Sequence, residues 1–340
     1  MHTYTQVDCF SGPGGICTGL TEAEGVTRVT IEQAKGCREE TFPTKIKEAK
    51  PFVKWAGGKR QLIPTIDEFI AVANGKVAID TYVEPFVGGG AVLFWILSNY
   101  DQIKKVVIND INVDLMTAYQ VVRDAPKDLI EALAKLQRKY YSIKVDERKV
   151  LFNQVRDAYN KKELDPVENT SYFMFLNRTC FNGLYRVNRK GLYNVPFGNY
   201  GSPRICDETN IYACSRLLQK VEILCGDYSQ TIGYANQHSL YYFDPPYKPL
   251  SMTSNFTSYS TAAFNDEEQM RLSAFSKKID EAGSLFLLSN SDLSQVDHGN
   301  CFFDDLYRDF NIHRVRARRM INSVASKRGD VSELMICNFH

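Results

Sequence analysis

The chain has 340 residues, 44% of them hydrophobic and 24% charged, a balance that excludes wholesale disorder and suits one large domain carrying an insert. Its 41 Lys and Arg against 40 Asp and Glu leave a formal net charge of +1, which argues against a general basic coat for nucleic acid or membrane and leaves room for a local basic site. No apolar run reaches the roughly 18 residues of a membrane span, the first residues carry Asp8, Glu22 and Glu24 without the basic start of a signal peptide, and nine cysteines with no C-x-x-C pair fit reduced thiols in a cytoplasmic protein.

In chain order, residues 6–10 read as a strand, Gly12-Pro13-Gly14-Gly15 as a glycine loop, 16–24 as a helix and 26–32 as a strand. Residues 33–50, rich in Lys and Glu, read as a linker. A fresh start follows at Pro51, with Lys54-Trp55-Ala56-Gly57-Gly58-Lys59 leading into a helix over 60–72. Tyr82-Val83-Glu84-Pro85-Phe86-Val87-Gly88-Gly89-Gly90 ends a short strand in a glycine turn, a helix continues over 91–97, and a second apolar strand closes on Asp110. These two β-α steps begin a parallel sheet.

From 112 to 181 apolar and charged residues alternate at helical spacing, with breaks near Pro126 and Pro166, and a loop rich in Gly, Asn, Tyr and Arg runs on to Arg204. Strand patterns return at 221–225, 239–243, 284–289, 312–317 and 334–339, with a helix over 266–281. The expected class is α/β, a doubly wound sheet interrupted by a helical insertion. The expected domains are an N-terminal extension and linker (1–50), a sheet domain (51–112 with 207–340) and the insertion (113–206).

Asp244-Pro245-Pro246-Tyr247 stands directly after an apolar strand, where open parallel sheets bind their ligands. An Asp carboxylate and a proline carbonyl both accept hydrogen bonds from an amine, and Tyr247 offers a stacking face, a combination suited to the exocyclic amine of a planar base. A plain turn after a strand is the alternative. The turn Glu84–Gly90 lacks the G-x-G-x-x-G and G-K-[ST] spacings of dinucleotide and P-loop sites. Asp110, 20 residues past Gly90, stands where an acidic residue meets ribose hydroxyls, so nucleoside binding is favoured over a packing turn. Trp55 and Lys59 offer a ring and a charge, or a buried helix entry.

The ordered set Lys54–Lys59, Val83–Gly90, Asn109-Asp110-Ile111-Asn112, Asn177-Arg178 with Phe181-Asn182-Gly183-Leu184-Tyr185-Arg186, Asn194-Val195-Pro196-Phe197-Gly198 and Asp244–Tyr247 resembles the DNA adenine methyltransferases of the Dam type, over about residues 51–340. The resemblance implies a Rossmann-like S-adenosylmethionine-dependent methyltransferase sheet with a helical target-recognition insertion, acting on N6 of adenine, commonly in GATC. It implies Trp55, Lys59, Glu84, Pro85, Phe86, Gly88, Gly90, Asp110 and Asp244 as the cofactor site and Asp244, Pro245, Pro246 and Tyr247 as the catalytic tetrapeptide. Direct transfer to an adenine rotated out of the duplex is expected, without a cysteine nucleophile or a metal. N4-cytosine transfer and a silent DNA-binding protein are the alternatives.

Charge is unevenly spread. Residues 171–206 carry Arg178, Arg186, Arg189, Lys190 and Arg204 and no acid, interleaved with aromatics, and Arg308 to Arg328 is again basic. The segment 183–191 can form a β-hairpin that the major groove admits. With the resemblance, Lys54, Asn182, Leu184, Arg186, Asn188, Arg189, Pro196 and Asn199 are the DNA-binding candidates, Leu184, Arg186 and Pro196 for base contacts. Asn199 stands where the family often has a basic residue. The 308–328 patch is expected to bind phosphate, with pairing of the arginines to Asp304-Asp305 as the alternative. The expected partner is double-stranded DNA, bound by a monomer, with a dimer on DNA as the alternative, in the cytoplasm of a bacterium or phage host. Val7–Ile16 with Glu32 is similar to the first cofactor motif of the cytosine-C5 methyltransferases, but the Pro-Cys and Glu-Asn-Val of that family occur nowhere in the chain, so an attached fragment is expected.

Overall fold

The computed structural model describes residues 49–248, 264–295, 297, 299–318 and 330–340, plus the backbone of three strands nearer the N-terminus. The chain divides into two compact units, Met1–Glu48 and Ala49–His340.

In the first unit β1 (Thr18–Ala23), β2 (Val26–Ile31) and β3 (Arg38–Thr41) form an antiparallel sheet in the order β1-β2-β3. Thr18 pairs with Ile31 and Ala23 with Val26. This overturns the helix expected over 16–24 and places a strand inside the expected linker. Threonine, valine and isoleucine recur over 18–31, residue types that favour a strand over a helix, and the short-range helical spacing lost to that preference. The strand expected over 6–10 and the loop Gly12 to Gly15 lie outside the described residues.

The second unit is built on a seven-stranded sheet. Its strands are β4 (Thr81–Glu84), β5 (Lys105–Ile108), β6 (Val221–Ile223), β7 (Ser239–Phe243), β8 (Leu285–Ser291), β9 (Asn311–Arg318) and β10 (Asp330–Cys337), in the order β6-β5-β4-β7-β8-β10-β9. β6, β5, β4, β7 and β8 are parallel, while β10 runs antiparallel to both β8 and β9. The inner strands are buried on both faces, as in a doubly covered sheet; every residue of β4 and β7 is buried.

The chain travels outward from β4 through β5 to β6, then returns to place β7 on the other side of β4. The strand order therefore reverses between β4 and β7. Loops leaving the carboxyl ends of those two strands diverge there and open a crevice, and those loops are Glu84–Gly90 and Asp244–Tyr247.

Helices α1 (Ile63–Lys76), α2 (Ala91–Asn99), α7 (Glu208–Leu218) and α8 (Asp266–Glu281) accompany the sheet. The insertion after β5 holds α3 (Val113–Asp124), α4 (Pro126–Ser142), α5 (Val145–Asn160) and α6 (Pro166–Thr179). Pro126 and Pro166 each open a helix, where a missing N–H costs nothing. Asp165 caps α6 by accepting from the N–H of Val167 and Glu168. The break between α4 and α5 carries no proline; there the Glu147 side chain accepts from the Lys144 N–H at 2.9 Å and starts a new helix.

Candidate active site and DNA-reading face

The crevice is closed by three post-strand loops that one side chain joins. Asn109, buried at the end of β5, donates to the carbonyls of Pro85 and Gly226, each at 3.0 Å, and accepts from Gln230 Nε2 at 2.7 Å. Its neighbour Asp110 braces the glycine turn: Oδ2 accepts from the Gly88 N–H at 3.1 Å and Oδ1 from the Asn112 N–H at 3.0 Å. Burial pushes the Asp110 carboxyl above its ordinary range, against those N–H bonds, which hold it down.

The glycines are required by contact and by conformation. Gly90 sits in the left-handed region at φ 73°, and a Cβ there would run into the Tyr119 hydroxyl, which itself donates to the Gly88 carbonyl at 3.1 Å. At Gly88 a Cβ would lie 2.9 Å from the Trp55 ring. Trp55 also stacks on Tyr185 at 5.2 Å and meets Phe173 edge-on, so its ring is a spacer between the glycine turn and the insertion. Glu84 is nearly fully buried and accepts from the Tyr82 hydroxyl at 2.9 Å; desolvation holds its carboxyl well above the usual range. Phe86 meets Tyr228 at 5.1 Å and Phe264 at 5.8 Å, an aromatic group beside the turn.

Lys59, 7% exposed, donates to the Gly57 carbonyl at 3.0 Å and forms an ion pair with Asp244 Oδ1 at 2.8 Å. Its ammonium also lies 4.3 Å from the centre of the Tyr247 ring. Burial raises the Asp244 carboxyl, opposed by Lys59 and by the hydroxyl of Ser289, which donates to Oδ1 at 3.0 Å. Around the tetrapeptide, Gln269 donates to the Pro246 carbonyl at 3.2 Å and Ser291 to the Lys248 carbonyl at 2.8 Å. Among the described residues none donates to the Pro245 carbonyl or to Asp244 Oδ2. Two acceptors on adjacent residues are thus left for a ligand.

These side chains fit a nucleoside cofactor with a cationic, carboxylate-bearing tail. A carboxylate offers about four lone-pair sites and Asp110 turns them toward the backbone N–H groups of Gly88, Asn112 and Ile111, which leaves room for a ribose hydroxyl. Lys59 has three donors and two are engaged, which leaves one for a carboxylate. Phe86, partly exposed and backed by the buried Tyr228, supplies an aromatic surface for a flat purine.

The expected reading elements gather on one loop. In place of a full hairpin ladder, single antiparallel bridges join Val187 to Tyr193 and Cys180 to Phe197. Asn188 spends its side-chain oxygen on the turn, accepting from the N–H of Lys190 at 2.9 Å and of Leu192 at 3.1 Å. Arg186 is exposed and donates to Asn194 Oδ1 at 2.8 Å and to the Asn194 carbonyl at 3.2 Å. Arg189 and Pro196 are exposed; Leu184 is half-buried, its carbonyl accepting from the Tyr193 hydroxyl at 3.2 Å. Asn182 and Asn199 are exposed with φ of 57° and 54°, turn positions that asparagine tolerates.

Lys54 is exposed and lies 5.5 Å from the Tyr200 ring centre; with Arg178, Tyr200 and Arg204 it lines a cavity of about 230 Å³. Buried Asn177 clamps this corner, accepting from the Lys54 N–H at 2.8 Å and donating to the carbonyls of Lys54 at 2.9 Å and Gly183 at 3.1 Å. Arg178 donates to the Phe52 carbonyl at 2.8 Å.

The phosphate-binding expectation for 308–328 is corrected at Arg314, which pairs with Asp304 at 2.8 Å and with the buried Asp292 at 3.4 Å. A guanidinium already matched to two carboxylates has little charge left for DNA. Arg319, Lys327 and Arg328 lie outside the described residues.

Several groups were missed by sequence reading. Ser289 and Glu333 sit on late strands with no motif around them, and Tyr228 follows Gly226-Asp227 after β6, a short signal easily passed over.

An open α/β sheet whose strand order reverses between the glycine turn and the Asp244–Tyr247 loop defines the class, a Rossmann-like methyltransferase fold. A family model described as D12 class N6 adenine-specific DNA methyltransferase matches residues 55–321. The type II methyltransferase M.MjaIII of Methanocaldococcus jannaschii is 48% identical over 295 residues, covering 86% of this chain and 100% of that protein. The type II methyltransferase M1.LlaDCHI of Lactococcus lactis subsp. cremoris is 37% identical over 295 residues, covering 85% and 95%. The DNA adenine methylase of Escherichia coli K12 is 32% identical over 290 residues, again covering 85% and 95%. The chain belongs to the D12 class of N6 adenine-specific DNA methyltransferases, and S-adenosylmethionine is its cofactor.

Proposed function

We propose that the enzyme methylates N6 of an adenine rotated out of duplex DNA, within GATC, by direct transfer. The observation that carries this reading is the pair of free acceptors, Asp244 Oδ2 and the Pro245 carbonyl, beside the Tyr247 ring. An exocyclic amine has two N–H donors, and binding both fixes the plane of its lone pair.

Bound S-adenosylmethionine supplies an electrophilic methyl on a sulfonium that leaves as a neutral thioether. Asp244 and Pro245 orient the amine, and alignment of this kind supplies much of the acceleration. Pro246, held through its carbonyl by Gln269, keeps the turn rigid. Once the N–C bond has formed, the amine nitrogen carries a surplus proton, and Asp244 is the base beside it. A carboxyl raised by burial takes up that proton more readily than an ordinary aspartate. Tyr247 stacks on the extruded adenine, offsetting roughly 1–3 kcal/mol of the cost of unstacking it. Trp55, Lys59, Phe86, Gly88, Gly90 and Asp110 form the cofactor cradle, with Glu84 and Pro85 setting the start of the turn beneath it.

On the reading face Arg186, Leu184 and Pro196 meet base edges, Arg189 and Lys54 meet phosphates, and Asn182 and Asn199 shape the loop. Asn188 holds the hairpin turn and offers only its amide N–H groups. Residues 113–206 act as the target-recognition insertion and 51–112 with 207–340 as the catalytic domain.

The test is transfer of labelled methyl to duplex DNA with and without GATC, followed by digestion with nucleases that distinguish the methylated site. Incorporation only into GATC duplexes and its loss in Asp244→Ala are expected. Equal incorporation by Asp244→Ala would overturn the role of Asp244, and label in DNA lacking GATC would overturn the site.

A further inference from the structure

β8 and β10 form a rack under the tetrapeptide. Ser291 of β8 lies directly opposite Glu333 of β10, and Ser289 is two residues from Ser291, so all three side chains share one face of the sheet. Each holds a different atom of one short segment. Ser289 donates to Asp244 Oδ1 at 3.0 Å, Ser291 donates to the Lys248 carbonyl at 2.8 Å, and Glu333 Oε2 accepts from the Tyr247 hydroxyl at 2.7 Å. Of these three bonds, the one to Glu333 holds a ring, with Ser289 also near the same hydroxyl. A hydrogen bond at the phenol oxygen pins the far end of the ring and so fixes χ1; that oxygen lies on the χ2 axis, and ring rotation is opposed by the Lys59 ammonium, which sits over one face at 4.3 Å. Held at both places, the ring presents its other face in a single direction.

The geometry points to Glu333 as a positioning residue that aims the Tyr247 ring at the target base. The inference rests on the reading that Tyr247 stacks on the extruded adenine, and deepens it. Glu333 touches no reacting atom. It acts through a bond to a partially buried carboxylate, stronger than a neutral pair, and a small misplacement of a positioned group costs rate out of proportion to its size.

The experiment compares wild type, E333A, Y247F, the double variant E333A/Y247F and Y247A, with single-turnover and steady-state methylation of a GATC duplex. A 2-aminopurine at the target position reports base extrusion, and thermal unfolding reports the fold. E333A and Y247F are each expected to lower kcat about tenfold, with KM for DNA within about twofold and altered 2-aminopurine emission. The double variant should be no slower than either single one, because both remove the same bond. E333Q keeps an acceptor oxygen for the Tyr247 hydroxyl and should restore most of the rate lost in E333A. Wild-type kcat in E333A, or losses that multiply in the double variant, would overturn the inference. So would a lowered Tm with unchanged kcat and emission, the mark of a merely structural contact. Should E333A fail to fold, Y247F decides alone, since it removes the same bond from the other end. Full activity in Y247A would overturn the stacking reading and the inference with it; collapse of Y247A beside wild-type kcat in Y247F and E333A would overturn the inference alone.

Discussion

At the carboxyl end of the sheet, charged groups face fixed partners, buried or half-buried with them. Lys59 holds Asp244, Asp110 holds two N–H groups, and Glu333 holds Tyr247. On the loop over 180–200 the same kinds of atoms lie at the surface on replaceable contacts: Arg186 leans on Asn194, and single bridges stand in for a ladder. A reacting group gains from being fixed before its substrate arrives, whereas a reading surface has to exchange its own contacts for those of a base edge.

Asp244→Ala is expected to lower the single-turnover rate by at least about 10²-fold, the cost of removing a preorganised group from a reacting centre, while circular dichroism stays native; a smaller loss would move the chemistry elsewhere. Arg186→Ala should cost about 1–3 kcal/mol of discrimination at one base pair. It is checked by competition between cognate and single-mismatch duplexes, and a uniform loss across sequences would make Arg186 a phosphate contact.

Gly90→Ala places a side chain in the left-handed region at a cost of about 1–2 kcal/mol before Tyr119 is displaced. Calorimetry should show weaker cofactor binding with DNA affinity kept, and equal losses in both would mean that the cradle and the reading face yield together.

Burial raises the Asp244 carboxyl and Lys59 lowers it, so ionised Asp244 accumulates only above the ordinary carboxylate range, and the rate rises with pH through an acid limb placed there. Removing the cation in Lys59→Met takes away a lowering influence and should carry the limb to higher pH, measured as kcat at saturating cofactor. A limb that stays or moves down would sink this account. Arg314→Ala should be the smallest change, with DNA affinity within about twofold, because its charge is already met by Asp292 and Asp304.

Much of the second unit was legible beforehand. The helix over Asp266–Glu281 and the all-buried strand Ser239–Phe243 follow from local periodicity, which a single sequence carries intact. Periodicity failed near the N-terminus, where helical spacing over 16–24 gave way to a strand, because pairing with β2 outweighed a weak local preference. It also missed the break before Val145, made by a cap rather than by proline.

Local sequence specifies which residue types are available and in what order: a glycine turn, an acidic strand end, the Asp244–Tyr247 tetrapeptide and a basic aromatic loop. Which of them meet depends on the fold. Lys59 reaches Asp244, Trp55 stacks on Tyr185, and Tyr247 is held by Glu333, pairs separated by long stretches of chain. Strand order brings them together. Reversal between β4 and β7 brings two distant loops to one crevice, and an antiparallel β10 beside β8 puts a carboxylate beneath the tetrapeptide. No local spacing encodes those neighbours, because hydrogen bonding between strands, and not position along the chain, sets them.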